Sequence, residues 1–222
     1  MAAALDFGWL GDAAGALTHG VATTIFLITV TALLGGALSV AAAAGRRSRY
    51  GWLRSLVAAY VELIRNTPFI VQLFFIFFGL PSLGVRLDAV PAAILAMTIN
   101  LGAYGTEIVR AGLDAVVAGQ REAGLALGLR QRAVFLRIVL PQAVRAIFPS
   151  LASQIVITML ESAVVSQIAV RDLTYEADLI QSRTFRAFET YAVITVIYLV
   201  LSLLLRRLLV AAGRRVLGQG AG

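Results

Sequence analysis

Lysine is absent from this 222-residue chain, so all 19 basic residues are arginine. Cysteine is absent as well, and histidine occurs once, at His19. Charged residues make up only 14% of the chain, against about 25% in a soluble domain. Each shortage excludes a chemistry. A phosphate-cradling loop of the form G-x-x-x-x-G-K-[ST] needs a lysine, so this chain carries no such nucleotide site. Without cysteine there are no disulfides and no thiolate metal ligands, and one histidine cannot form a cluster of imidazole ligands. Serine hydrolysis would have only His19 as an imidazole base, and no G-x-S-x-G elbow is present. Carboxylates alone remain as donors for a hard cation such as Mg²⁺. An intramembrane enzyme is therefore a poor reading.

What the chain has in quantity is apolar sequence. Hydrophobic residues reach 59% and the mean hydropathy is +0.87. They fall in runs long enough for helices across a hydrocarbon core of roughly 30 Å, so an all-α integral membrane protein is expected. Five spans are predicted, at residues 19–44, 52–80, 90–109, 142–170 and 191–210. The second is interrupted by Arg65-Asn66-Thr67-Pro68. No basic residue precedes Arg46, so the first run lacks the charged start of a signal peptide and reads as a retained helix. The expected organisation is an extracytoplasmic N-terminal segment (1–18), one membrane domain (19–210) and a cytoplasmic tail (211–222).

Arginine placement gives an expected orientation. The segments after the first and third spans and after the fifth hold 14 of the 19 arginines: Arg46 to Arg54, Arg110 to Arg145 and Arg206 to Arg215. The opposite side holds seven of the 12 acids, among them Asp6, Asp172 and Glu176. Five spans then put the N-terminus outside and the C-terminus inside. Arginines flanking apolar spans do not form the single basic face of a nucleic-acid binder, but they suit anionic lipid.

Residues 122–141, "EAGLALGLRQRAVFLRIVLP", lie on the arginine-rich side. Gly124 and Gly128 are four apart and would share a helix face, which suits close backbone approach to this chain's own loops or to another protein. Val134, Phe135, Ile138 and Val139 form one stripe, with Arg130, Arg132 and Arg137 largely off it. The pattern predicts an amphipathic interfacial helix stopped by Pro141.

The same stretch resembles the "EAA" loop of ABC importer permeases: Glu122-Ala123-Gly124, then Gly128, then Ile138-Val139-Leu140-Pro141. Gly124 stands where alanine is usual. "YVELIRNTPFIVQLFFIFFGLP" and "NLGAYGTEIVRAGLDAVVAGQREA" resemble the second- and third-span signatures of the polar amino-acid uptake subfamily, and "LPQAVRAIFPSL" and "SRTFRAFETY" fit the same group. The resemblance covers roughly residues 20–207. It implies the type I importer permease fold, a bacterial inner-membrane location and a non-catalytic subunit without its own cofactor. Glu122, Ala123, Gly124, Gly128 and Pro141 would form and carry a coupling helix docked on a cytoplasmic ATPase, which binds the ATP. An extracytoplasmic substrate-binding protein and a second permease chain, identical or related, are implied partners.

Ionisable groups at membrane depth usually face a cavity or a partner. Glu161 sits in apolar "MLESAVVSQ" and either meets the cationic end of a substrate or pairs internally, for example with Arg65. Glu107 and Arg110 are three apart, as are Glu62 and Arg65, so each set can pair along a helix. Pro68 and Pro149 raise the choice between a pathway element and a packed kink. The expected substrate pathway comprises Glu161, Ser162, Glu107, Asn100 and Thr67. Where the family usually has Lys-Asp/Asn-Thr-Ser, this chain has Leu160, Glu161, Ser162 and Ala163. Losing the base and keeping the acid favours a basic or zwitterionic amino acid. A passive channel fits less well, since a cytoplasmic coupling helix would have no task there.

Overall fold

The computed structural model describes residues 5–218, and among them every regular element is helical. The first helix, α1, runs Leu10–Arg46. Its 37 residues begin well before the predicted 19–44 span and end two residues past it, because no proline occurs before Pro68 and the alanine-rich stretch before His19 propagates a helix readily. Helix α2 (Gly51–Arg65) and helix α3 (Phe69–Phe74) form the second span, which continues as a π-turn (Phe75–Gly79) and a 3₁₀ turn (Leu80–Leu83). Helix α4 (Ala89–Asp114) is the third span. Short helices α5 (Ala118–Ala126) and α6 (Gln131–Val134) follow. Helix α7 (Leu140–Glu161) leads into a 3₁₀ segment (Ser162–Ile168), then helix α8 (Leu173–Thr184) and helix α9 (Ala187–Leu217). Four helices are long and apolar enough to cross a membrane, and the bent α2–α3 pair makes a fifth.

The bend at Pro68 is 111°. Proline disfavours helix at the residue before it and lacks an amide donor. The freed carbonyls at the end of α2 are taken by side chains. Thr67 Oγ1 donates to Leu63 O at 2.9 Å, Asn66 Nδ2 to Glu62 O at 2.8 Å, and Gln72 Nε2 to Ile64 O at 2.7 Å. Gln72 also donates to Thr67 O at 3.0 Å, and Asn100 Nδ2 on α4 donates to Gln72 Oε1 at 3.0 Å. The kink is thus bracketed by two buried amides, Gln72 on α3 and Asn100 on α4, which meets the rule that open backbone at membrane depth be satisfied inside the protein.

Pro141 does not stop the preceding helix, contrary to the sequence expectation. It occupies the first turn of α7, and helical backbone runs from Gln131 to Ile168 as one span. A π-turn over Phe135–Val139 precedes it. The proline ring collides with the carbonyl four residues back, that of Arg137, and the wider π-turn relieves this. Gln142 Nε2 takes the adjacent Ile138 carbonyl at 2.8 Å. Pro81 repeats the arrangement, with its own π-turn ending at Gly79. Pro149 lies inside α7 without breaking it.

Helix α4 is the most buried span and α9 the least. The seam between α1 and α4 is built of small residues. A β-carbon on Gly105 would lie 2.1 Å from Ser39 Oγ, and one on Gly35 would lie 2.9 Å from Leu101 Cδ2. Ser39 is buried and donates to Gly35 O at 2.7 Å. In lipid, where apolar surface gives no preference for helix over acyl chain, such close backbone approach drives association.

Two clusters of polar contacts mark the two ends of the bundle. At one end Arg47 pairs with Asp114, and Arg110 holds both Asp114 at 2.9 Å and Glu107 at 2.7 Å. At the other Arg186 pairs with Asp6 at 2.7 Å, Arg171 meets Glu176 at 2.9 Å, and Leu173 N donates to Thr24 Oγ1 at 3.3 Å. Successive spans therefore alternate in direction.

Asp172, fully buried at this second end, caps α8 by accepting from Tyr175 N at 2.9 Å, and accepts from Tyr198 Oη at 3.2 Å. Burial pushes its carboxyl up from the ordinary 3.8 to about 6. The folded chain thus holds this proton more tightly than the unfolded chain does. Stability is full below about pH 4, falls as pH rises toward 6 and levels off above it, with a total change on the order of 3 kcal/mol. Unfolding midpoints in detergent between pH 4 and 7 should show this fall for the native chain. Asp172→Asn should flatten it, and equal pH profiles for the two would refute the assignment.

Candidate functional site

Helix α5 ends in a Schellman motif. Leu129 N donates to Gly124 O at 3.2 Å, Gly128 N donates to Leu125 O at 2.9 Å, and Gly128 takes φ +78°. Gly124 and Gly128 therefore do not share a helix face, as spacing had suggested. Gly128 is the left-handed residue that ends the helix, where a β-carbon would be strained. Gly124 is buried against this chain's own α6 and π-turn: a β-carbon there would lie 2.9 Å from Ile138 Cδ1 and 3.1 Å from Val134 Cγ2. The close partner of Gly124 is thus internal.

This packing turns the rest of α5 outward. Glu122, Ala123 and Leu125 are exposed, and Leu127 is 81% exposed just beyond. A cavity of about 450 Å³ lies behind α5, lined by Arg47, Asp114, Arg121, Leu125, Gln131 and Phe135. The exposed surface sits at the end of the bundle where Arg47, Arg110 and Asp114 tie α1 to α4. Gly124 seats directly on Val134 and Ile138, and helix continues from there into α7.

The residues expected along a pathway fall into three places. Glu107 lines a polar cavity of about 330 Å³ with Arg46, Glu62, Arg65, Asn66 and Tyr104, between α1, α2 and α4. It pairs with Arg110, as its spacing suggests. Glu62 and Arg65 form no such pair among the described residues. The Arg65 guanidinium instead lies 5.4 Å over the Tyr104 ring. Asn100 and Thr67 belong to the bracket around the Pro68 kink, and Asn100 is 3% exposed. Glu161 and Ser162 stand where α7 tightens into the 3₁₀ segment, away from that cavity. Ser162 is fully buried and donates to Met159 O at 2.6 Å. Glu161 is half-buried and makes no ion pair, with Arg65 or any other base, among the described residues. Gln72 and Tyr104 escaped sequence reasoning. A lone glutamine four residues past Pro68 was the available signal for the first.

Residues 34–218 match the family described as the binding-protein-dependent transport system inner membrane component. The chain belongs to that family. The permease is 39% identical, over 80% of its own length and 82% of the other's, to the probable glutamine ABC transporter permease protein of Bacillus subtilis (strain 168). It is 35% identical to the glutamine transport system permease protein of Escherichia coli (strain K12), over 95% and 98% of the two chains. A crystal structure of an amino acid ABC transporter with histidines superimposes with a TM-score of 0.89 at 36% identity, covering 95% of this chain and 99% of that one. These likenesses place the permease among the amino-acid permease subunits of ABC transporters, and the type I importer permease fold is the one observed.

Proposed function

We propose that this permease is the membrane subunit of an ATP-driven, binding-protein-dependent importer of polar amino acids. The observation that carries the proposal is the seating of α5 on the start of the α6–α7 helix. It gives an exposed element, Glu122-Ala123 with Leu125, rigidly joined to a helix whose far end bears Glu161. A cytoplasmic ATPase docks on that element, binds the ATP itself and rocks α7 on closing. The chain contributes no catalytic group and no cofactor. The arginine-rich end faces the cytoplasm, so the N-terminus is outside and the C-terminus inside. The end bearing Asp6 and Arg186 faces the extracytoplasmic binding protein. A second permease chain, identical or related, completes the pathway against apolar surface that one chain leaves open.

The pathway runs past Glu161, Ser162 and Glu107, with Asn100 and Thr67 holding the kinked second span that borders it. An unpaired half-buried carboxylate is costly in a membrane unless a cation meets it. Glu161 therefore receives the ammonium or guanidinium end of a zwitterionic or basic amino acid. The glutamine relatives support the zwitterionic class. Uptake of labelled glutamine, arginine and glutamate into vesicles bearing the assembled transporter tests this. Glu161→Gln should reduce uptake of glutamine and arginine relative to glutamate. Unchanged uptake and unchanged selectivity would remove Glu161 from the pathway.

A further inference from the structure

The corner between α1 and α2 combines two features that the transport reading does not use. The first is an open cleft of about 630 Å³ between the two helices, lined by Leu38, Ala41, Gly45, Leu53, Val57 and Tyr60. Small residues on α1 face larger ones on α2, and the helices touch near Gly45 and Val57, where a β-carbon on the glycine would lie 3.1 Å from Val57 Cγ2. The second is charge. Residues 46–54 carry Arg46, Arg47, Arg49 and Arg54 and no acid. Arg47 is taken by Asp114. Arg49 lies over the Tyr50 ring at 4.7 Å and donates to its hydroxyl at 2.5 Å, while neither Arg49 nor Arg54 meets a carboxylate among the described residues. Arg54 stands in the first turn of α2, where a cation opposes the helix dipole, so a nearby anion would offset an existing cost.

Tyr50 and Trp52 are exposed at the same corner, Trp52 by 68%. Exposed aromatic residues beside arginines mark headgroup depth, and the cleft runs from Ser48 toward Tyr60, into hydrocarbon depth. An apolar cleft that begins at Ser48 and Leu53 thus adjoins, along the chain, two arginines that meet no carboxylate among the described residues. We infer that the α1–α2 corner is a binding site for one anionic phospholipid, its acyl chain in the cleft and its phosphate on Arg49 and Arg54. The charge of the corner selects a lipid over an apolar protein segment as the occupant. The site rests only on α1 and α2 crossing a bilayer and is independent of what the permease transports.

The chain has two tryptophans, Trp9 and Trp52, so Trp9→Phe leaves Trp52 as the single reporter at this corner. The full-length variant would be reconstituted in vesicles containing brominated-acyl phosphatidylglycerol or brominated-acyl phosphatidylcholine, and Trp52 quenching followed against lipid fraction. Two arginines near a headgroup predict half-quenching at a roughly thirtyfold lower fraction of the anionic lipid. Adding Arg49→Gln and Arg54→Gln, both on the surface, should bring the two lipids to within about twofold. Equal quenching in the unaltered corner, or a preference that survives both substitutions, would overturn the site. Shielding of Trp52 from both lipids would place a protein partner in the cleft and overturn it equally.

Discussion

Ala123→Trp is expected to abolish uptake while leaving the permease folded and in the membrane. Ala123 is exposed on α5, so a large side chain there meets no part of this chain. It would obstruct whatever docks on Glu122 and Leu125. A blocked central contact costs an interface about 2 kcal/mol or more, roughly thirtyfold in affinity. Gly124→Leu, one residue on, is expected to fail differently. Its side chain must enter the space held by Val134 and Ile138, so it loosens α5 from α6 and lowers stability as well as transport. Comparing ATPase co-purification and protease resistance for the two variants separates docking from folding. Full uptake by Ala123→Trp, with the ATPase still bound, would remove α5 from the coupling path.

The second large effect concerns the α1–α4 seam. Gly105→Leu should destabilise the bundle by about 3 kcal/mol, because even its β-carbon would fall on Ser39 Oγ, and Ser39 is itself buried against Gly35. Gly36→Leu provides the control: on the same face-to-face helix pair, its β-carbon would meet nothing within 4 Å. The milder Gly105→Ala, combined with Ser39→Gly, should recover much of the loss, a coupling that a double-mutant cycle in a detergent unfolding series would measure. If Gly105→Leu and Gly36→Leu behave alike, the seam is not held by close approach.

Much of this architecture was legible in the residues because membrane solvation imposes simple rules. Apolar runs of about 20 to 30 residues marked the four spanning helices and the bent pair, and Pro68 marked the bend, since proline geometry acts within a few residues. Glu107 and Arg110 were legible as a candidate pair from helical spacing, but the same spacing at Glu62 and Arg65 gives no pair, because Arg65 turns to the Tyr104 ring. Three features were not. Gly128 reads equally as half of a packing pair or as a left-handed helix end, and only the Leu129–Gly124 bond distinguishes them. Pro141 reads as a stop, because nothing local announces that a π-turn over Phe135–Val139 will absorb its ring. The partnership of Gln72 with Asn100 spans 28 positions and depends on how α3 leans on α4 after the bend. In the candidate site the same division holds. The composition of residues 122–141 was plain, but which glycine faces inward was a matter of tertiary packing.

One measurement bears most directly on the central claim, that α5 transmits the work of a separate ATPase to the spans. The permease would be reconstituted in vesicles with its ATPase and an amino-acid-loaded binding protein, and ATP hydrolysis recorded with and without that protein. The account predicts hydrolysis that the loaded binding protein stimulates several-fold, with stimulation lost in Ala123→Trp and retained in Arg49→Gln. Hydrolysis that never responds to the binding protein, or an ATPase that associates equally well with Ala123→Trp, would contradict it.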